Sequence, residues 1–245
     1  MKTRREFLGW MAGAAILPVT KWEQTEVYFA KGEGKAAEVP EVLDHILLGC
    51  SDLQRGIAFV EERTGVKAMF GGVHPGRGTQ NALLSLGKRR YLEIIAPDPQ
   101  QSGDEHGSRL AKFTEPRLTG WAAHPGNLQD LASRLGKAGV GTQGPTPGSR
   151  KRPDGSVIHW ATLALKDDSD GLLPFFIEWG AESVHPSIDA PKGCALNEFW
   201  VESPKAAELV RQFALIGIGA EVKQGETARL RARITGPKGE MELSA

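Results

Sequence analysis

The sequence predicts an α+β protein assembled from tandem βαβββ modules, and three observations predict it. Strand-like segments tend to follow each amphipathic helix in a group rather than singly. The order strand, helix, strands recurs along the chain at a nearly constant offset. Each helix also carries its own start and stop residues. A doubly wound α/β sheet is the runner-up, but it needs helices alternating with single strands.

The chain opens on Thr3-Arg4-Arg5-Glu6-Phe7-Leu8-Gly9, followed by a mild apolar run over 7–19. Adjacent arginines, an aromatic, a leucine and a small-residue-rich stretch resemble a twin-arginine export signal. An ordinary N-terminal helix with two exposed arginines is the alternative. As a helix the run spans about 20 Å, short of the roughly 30 Å hydrocarbon core, so no stable membrane span is expected. Residues 1–30 are therefore read as a twin-arginine signal peptide, which implies a periplasmic or secreted location. Residues 31–40, small, charged and Pro-terminated, read as a linker.

The first module starts with an apolar strand over 43–50. Ser51 or Asp52 caps a helix that runs to about Arg63, and Gly65 stops it. Strands follow near 66–72, 80–86 and 90–96. The second module opens with a short strand from Leu118 through Trp121. Asn127 caps a helix over 128–138, Gly139 follows, and strands lie near 157–165 and 173–179. The segments 144–155 and 166–171, rich in Gly, Pro and Asp, read as loops. A third, shorter copy has a strand over 196–202, the cap Ser203-Pro204 and a helix to about Ile216. Strands near 220–223, 228–234 and 240–243 complete it. Residues 41–190 then form a two-module domain, with 191–245 a third module packed on it.

Thirty Lys and Arg balance thirty Asp and Glu, and no excess positive cluster suits nucleic acid. A small-molecule ligand is the expected partner. Cys50 and Cys194 sit in apolar stretches and read as buried free thiols, a single bridge being the alternative in an oxidising compartment. No serine elbow, phosphate loop or dinucleotide fingerprint is present.

Several stretches together resemble the glyoxalase-like family of the vicinal oxygen chelate superfamily (glyoxalase, bleomycin resistance and extradiol dioxygenase proteins). They are Leu43-Asp44-His45-Ile46, the loop from His74-Pro75-Gly76 to Asn81-Ala82-Leu83, and Tyr91-Leu92-Glu93-Ile94-Ile95. Arg152-Pro153-Asp154-Gly155 leading to Trp160, then Leu173 to Gly180, and His185-Pro186-Ser187 complete the set. The resemblance implies curved mixed sheets forming a cup around a metal or ligand. It implies ligands on the first and last strands of each module, which here are His45, Glu93 and Glu178. The fourth position falls on Gly120, which has no side chain to offer.

The residues themselves leave alternatives open. His45, mid-strand among leucines, is either satisfied locally or a ligand. Glu93 lies between Leu92 and Ile94, where an unpaired carboxylate would cost several kcal/mol to bury. A divalent metal would compensate it; arginine pairing or protonation are the alternatives. A two-histidine, one-carboxylate iron site would need His74 or His159 as the second histidine. His74 and Asn81 sit on a Gly/Pro-rich connection able to close on a ligand. The resemblance adds Arg152, facing a carboxylate of the ligand or of Glu178, and Trp160, facing the cup with His159 outward. His185 is placed at the rim.

The expected function is a metal-dependent lyase or isomerase acting on a small vicinally oxygenated molecule, with Glu93 and Glu178 as proton-moving groups. A metal-free binding protein that sequesters a small molecule is one rival, and an extradiol-type ring-cleaving dioxygenase the other. Whether the third module pairs within the chain or across a homodimer stays open.

Overall fold

A computed structural model describes residues 38–101 and 105–245 of the chain. The expected signal peptide and most of the expected linker lie outside the described residues. The element order is β1 (Leu43–Gly49), α1 (Leu53–Thr64), β2 (Met69–His74), β3 (Thr79–Ser85) and β4 (Tyr91–Pro97). Then come α2 (Glu105–Leu110), β5 (Arg117–Ala123), α3 (Leu128–Lys137), β6 (Thr142–Lys151), β7 (Val157–Leu165) and β8 (Phe175–Trp179). The chain ends with α4 (Pro186–Asp189), β9 (Ala195–Ser203), α5 (Ala206–Ile216), β10 (Glu221–Gln224), β11 (Arg229–Gly236) and β12 (Gly239–Ser244).

Eight strands form one sheet in the order β2-β3-β4-β1-β5-β8-β7-β6. Read outward from the centre, each half is wired identically, so the first two modules are true structural repeats. They join through the antiparallel β1–β5 pair. The sheet curls until its two edges meet. A Cβ on Gly72 would stand 2.8 Å from the Lys151 carbonyl oxygen and 3.1 Å from Arg150 Cδ. Gly72 also takes φ +139°, open only to glycine, at a register shift in the β2–β3 pairing.

The helix starts follow the side-chain chemistry. Asp52 accepts from the Arg55 amide at 2.8 Å, Asn127 accepts from the Asp130 amide at 2.9 Å, and Gly65 ends α1 with φ +80°. The third helix departs from expectation. Ser203 ends β9 and accepts from the Lys205 amide, and α5 begins at Ala206 without a side-chain cap.

Two further differences concern strands. β6 occupies part of the stretch expected to be a loop. Its Pro and Gly content is compatible with an edge strand, whose outward amides need no partner, and the pairing skips across Gly144-Pro145 between Gln143 and Thr146. The third βαβββ run has the expected element order but not the expected wiring. Its four-stranded sheet runs β10-β9-β11-β12, so β9, α5 and β10 form a parallel crossover unit, and β11 and β12 add antiparallel strands.

The main core lies on the convex side of the large sheet. Leu92, Ile94 and Ala96 of β4 and Phe176 of β8 point into it, together with α1, α3, α5 and the inner face of the second sheet. Trp121 is fully buried there, 5.0 Å from Phe199 and 6.2 Å from Phe213 between ring centres, and its indole donates to the Leu172 carbonyl at 2.9 Å. Cys50 and Cys194 are free and buried, and burial pushes the Cys50 thiol up to about 12. No described helix is long and apolar enough to cross a membrane.

Candidate functional site

The concave face of the sheet holds the polar residues. On β4, strand alternation sends Tyr91, Glu93 and Ile95 to the side opposite the core. On β1, the register shift against β5 leaves Asp44 as an extra residue between Leu43, paired with Ala123, and His45, paired with Ala122. A bulge of this kind lets two successive side chains share one face. Asp44 and His45 are accordingly both buried and in contact, 2.7 Å between Oδ1 and Nδ1.

Asp44 anchors one half of the network. Besides His45 it accepts from the Trp179 indole at 3.0 Å, and its Oδ2 lies 3.1 Å from His185 Nε2. A carboxylate only accepts, so both histidines must present N–H groups to it. His185 then accepts at Nδ1 from the Ser187 hydroxyl (2.8 Å) and amide (3.2 Å). Burial alone would raise the Asp44 carboxyl. The hydrogen bonds from His185 and His45 outweigh it and hold the group well below the ordinary carboxylate range.

Glu93 anchors the other half. Its Oε2 lies 3.4 Å from His45 Nε2, and its Oε1 lies 3.6 Å from His74 Nε2. Asn81 Nδ2 donates to Glu93 Oε1 at 2.7 Å and faces His74 Nε2 at 3.2 Å. Arg150 Nη1 donates to Asn81 Oδ1 at 3.3 Å, which fixes the amide with its nitrogen toward Glu93. His74 accepts at Nε2 and therefore donates from Nδ1 to the Thr79 hydroxyl, 2.8 Å away. Burial pushes the Glu93 carboxyl up, but His45, His74, the Asn81 bond and Arg150 together hold it below its ordinary value.

One consequence follows from these donor assignments. With Nδ1 turned to Asp44 and Thr79, His45 and His74 each point Nε2 toward a Glu93 oxygen. At His74 the Asn81 amide already reaches both groups, so it is the 3.4 Å approach of His45 Nε2 to Glu93 that calls for a proton on that nitrogen or a cation between the two. Ligands sharing a metal with bonds near 2.1 Å stand about 3–3.5 Å apart. Metal-binding histidines also characteristically have the other ring nitrogen held by an oxygen. Two imidazoles and a carboxylate are the groups a divalent cation would use, but they are not preformed as a metal site: no group of three His, Cys, Asp or Glu among the described residues is set to hold a metal ion, and the Asn81 amide stands between His74 and Glu93. Space remains beside them, because a Cβ on Gly120 would meet nothing within 4 Å.

The expected triad of His45, Glu93 and Glu178 is not what the structure assembles. His45 and Glu93 come together, but Glu178 shares the core side of β8 with Phe176. There its Oε2 accepts from the Leu128 amide at 2.8 Å, at the start of α3. Glu178 does not correspond to Glu93 in the pairing, where Glu93 lies beside Leu47 and it is Phe175 that lies beside Ala122. Phe175, Ile177 and Trp179 are the residues of β8 that alternate to the concave side. A proton-moving role for Glu178 fails for the same reason. His74, expected to contact substrate or, in the iron reading, to be the second histidine, lies beside Glu93.

Asn81, expected to offer its amide to a polar ligand or to steady the turn, donates to Glu93. Trp160 lies on the concave side, its ring 5.8 Å from that of Trp179, and His159 is exposed. Arg152 does face a carboxylate, but that of Asp189, with a second bond to the Val184 carbonyl. His185 is buried rather than at the rim, capping α4 and bonding Asp44.

Three contributors escaped the sequence reading. Asp44 was legible only as a neighbour of His45, since alternation would have turned it away. Tyr91 stacks on His45 with ring centres 4.5 Å apart. Arg150, one of three consecutive basic residues, reads as a solvated edge until β6 is recognised as a strand.

The family described as "Glyoxalase-like domain" matches residues 43–216. No curated protein matches the sequence. Among solved structures, a hypothetical protein from Staphylococcus aureus has a similar fold, at 17% identity over 82% of this chain and 84% of that one, with a TM-score of 0.56. A methylmalonyl-CoA epimerase from Mycobacterium tuberculosis aligns at 19% identity over 60% of this chain and 92% of its own, with a TM-score of 0.42. A variant of the Streptomyces coelicolor methylmalonyl-CoA epimerase, in complex with 2-nitronate-propionyl-CoA, aligns at 22% identity over 57% and 97%, also at 0.42.

Proposed function

The chain belongs to the glyoxalase-like domain family, and from that premise we propose that it is a metal-dependent isomerase- or lyase-type enzyme acting on a small vicinally oxygenated molecule. The observation that carries this reading is the convergence of His45 Nε2 and His74 Nε2 on the Glu93 carboxylate, at 3.4 and 3.6 Å. His45, His74 and Glu93 would hold the ion, which when bound supplies Lewis-acid polarisation of neighbouring substrate oxygens. Asp44 and Thr79 keep the two imidazoles in the tautomer that presents Nε2. Glu93, held as a carboxylate at neutral pH, is the group placed to take a proton from a carbon beside a carbonyl and return it. Tyr91, stacked on His45, excludes water from one side of the imidazole.

A second reading has its own observation. The Asn81 amide already reaches both Glu93 Oε1 and His74 Nε2, which suits a metal-free cup that sequesters its ligand. Metal analysis separates the two. Protein purified without added metal, then titrated calorimetrically with zinc, manganese and ferrous ions, is expected to take up about one equivalent. His45→Ala, His74→Ala and Glu93→Gln should each lose at least about tenfold in affinity, whereas Glu178→Gln should not. Uptake below about 0.2 equivalents by the wild type overturns the metal reading in favour of the second.

A further inference from the structure

We propose that Arg150 and the cleft in front of it form a carboxylate-binding subsite, so that the substrate is a small organic acid with an apolar body. This rests on the site reading above and names the substrate class for it. Arg150 is only 4% exposed. Its one hydrogen bond among the described residues is the long contact, 3.3 Å, to Asn81 Oδ1. A guanidinium carries five N–H donors, and no Arg150 nitrogen is among the buried atoms left without a partner, so the donors not given to Asn81 open onto the cleft.

Arg150 lines a cleft of about 140 Å³ with Met69, Phe70, Leu83, Pro186 and Ala190. A cavity near 150 Å³ admits a molecule the size of benzene. The apolar wall and the spare donors thus suit one planar anionic group on a compact hydrocarbon body. The other charges at the cleft are engaged: Arg152 with Asp189, and Asp154 with Ser156. The Arg150 donors not given to Asn81 face this cleft, and the guanidinium fork matches a carboxylate bidentately. The subsite is one amide away from the proton-moving group, because Asn81 bridges Arg150 and Glu93. Gly71 keeps that bridge open, since a Cβ there would stand 2.5 Å from Asn81 Oδ1 and 2.6 Å from Arg150 Nη1.

The test titrates the full chain with benzoate and with its uncharged isostere benzamide, followed by calorimetry or NMR. Benzoate is expected to bind at least about tenfold more tightly than benzamide, and Arg150→Met should remove that preference. Glu93→Gln should keep it, even if the same variant loses metal, so failure of the metal reading and failure of this one are separable. Should Arg150→Met not fold, Phe70→Ala at the half-exposed wall serves instead, weakening both probes about threefold through lost apolar contact. Equal binding of the two probes, binding of neither, an unaltered Arg150→Met protein, or inorganic phosphate bound more tightly than benzoate would each overturn the proposal.

Discussion

Asp44 shows how one buried residue orders the side chains around it. Three donors converge on it, from His45, His185 and Trp179, and it is fully buried. Removing the charge while keeping the shape, Asp44→Asn, leaves an amide where two imidazole N–H groups need acceptors. The expected cost is about 3 kcal/mol at neutral pH, the usual scale for breaking a buried charged pair. The pH dependence has a definite sign. The folded state holds the Asp44 carboxyl below its ordinary value, so the unfolded chain binds the proton more readily. The stabilisation is therefore complete above about pH 5 and drains away as the pH falls toward the folded-state value. Urea unfolding between pH 7 and pH 3 should show the gap between wild type and Asp44→Asn narrowing below about pH 5. A gap that stays constant would mean that Asp44 acts through packing rather than charge.

At the scale of elements, the two end-strands β4 and β8 share a sheet position but not a role. Glu93 faces the cup, whereas Glu178 faces α3 and accepts from its first amide. The N-terminus of α3 is thus met by two acceptors, the Asn127 side chain and Glu178, the latter a full negative charge at the positive end of the helix dipole. Glu178→Ala should cost about 1 kcal/mol in stability, as the loss of a helix cap does, and leave metal content untouched. A variant that lost metal instead would return Glu178 to the cup. The contrast also marks what the sequence could reveal. Helix starts at Asp52 and Asn127, stops at Gly65 and Gly139, and apolar strands such as Leu43–Gly49 are local, and all were legible. The face on which Glu178 emerges depends on register, and a one-residue slip inverts every side chain. The bulge that turns Asp44 inward and the edge strand that hides within a Pro/Gly-rich stretch depend on neighbours far away in sequence. Arg150 was lost with that strand.

For the whole molecule, the question is whether the C-terminal sheet is an appendage or part of one cooperative body. Sequence periodicity showed a third strand–helix–strands run but could not show its altered wiring, because strand order is decided by packing across the core. The packing argues for one body. Phe199 and Phe213 of the third run surround Trp121 of the second, and Arg134 of α3 donates to the Ile216 carbonyl at 3.0 Å. The tightest seam is at Gly236, at the end of β11. A Cβ there would stand 2.5 Å from the Thr64 carbonyl oxygen and 2.8 Å from Thr64 Cβ, at the last turn of α1. The obstruction is largely backbone, so it cannot rotate aside, and the adjoining Lys238 amide also bonds the Thr64 carbonyl at 3.1 Å. Gly236→Ala must therefore push the second sheet off α1 or strain both, at a cost of about 1–3 kcal/mol. For a chain of this size that lowers the melting temperature by roughly 2–4 °C for each kcal/mol. If the core is shared, calorimetry should show one transition that moves as a whole in the variant. Two transitions, with only one of them displaced by Gly236→Ala, would show that residues 195–245 unfold independently of the cup.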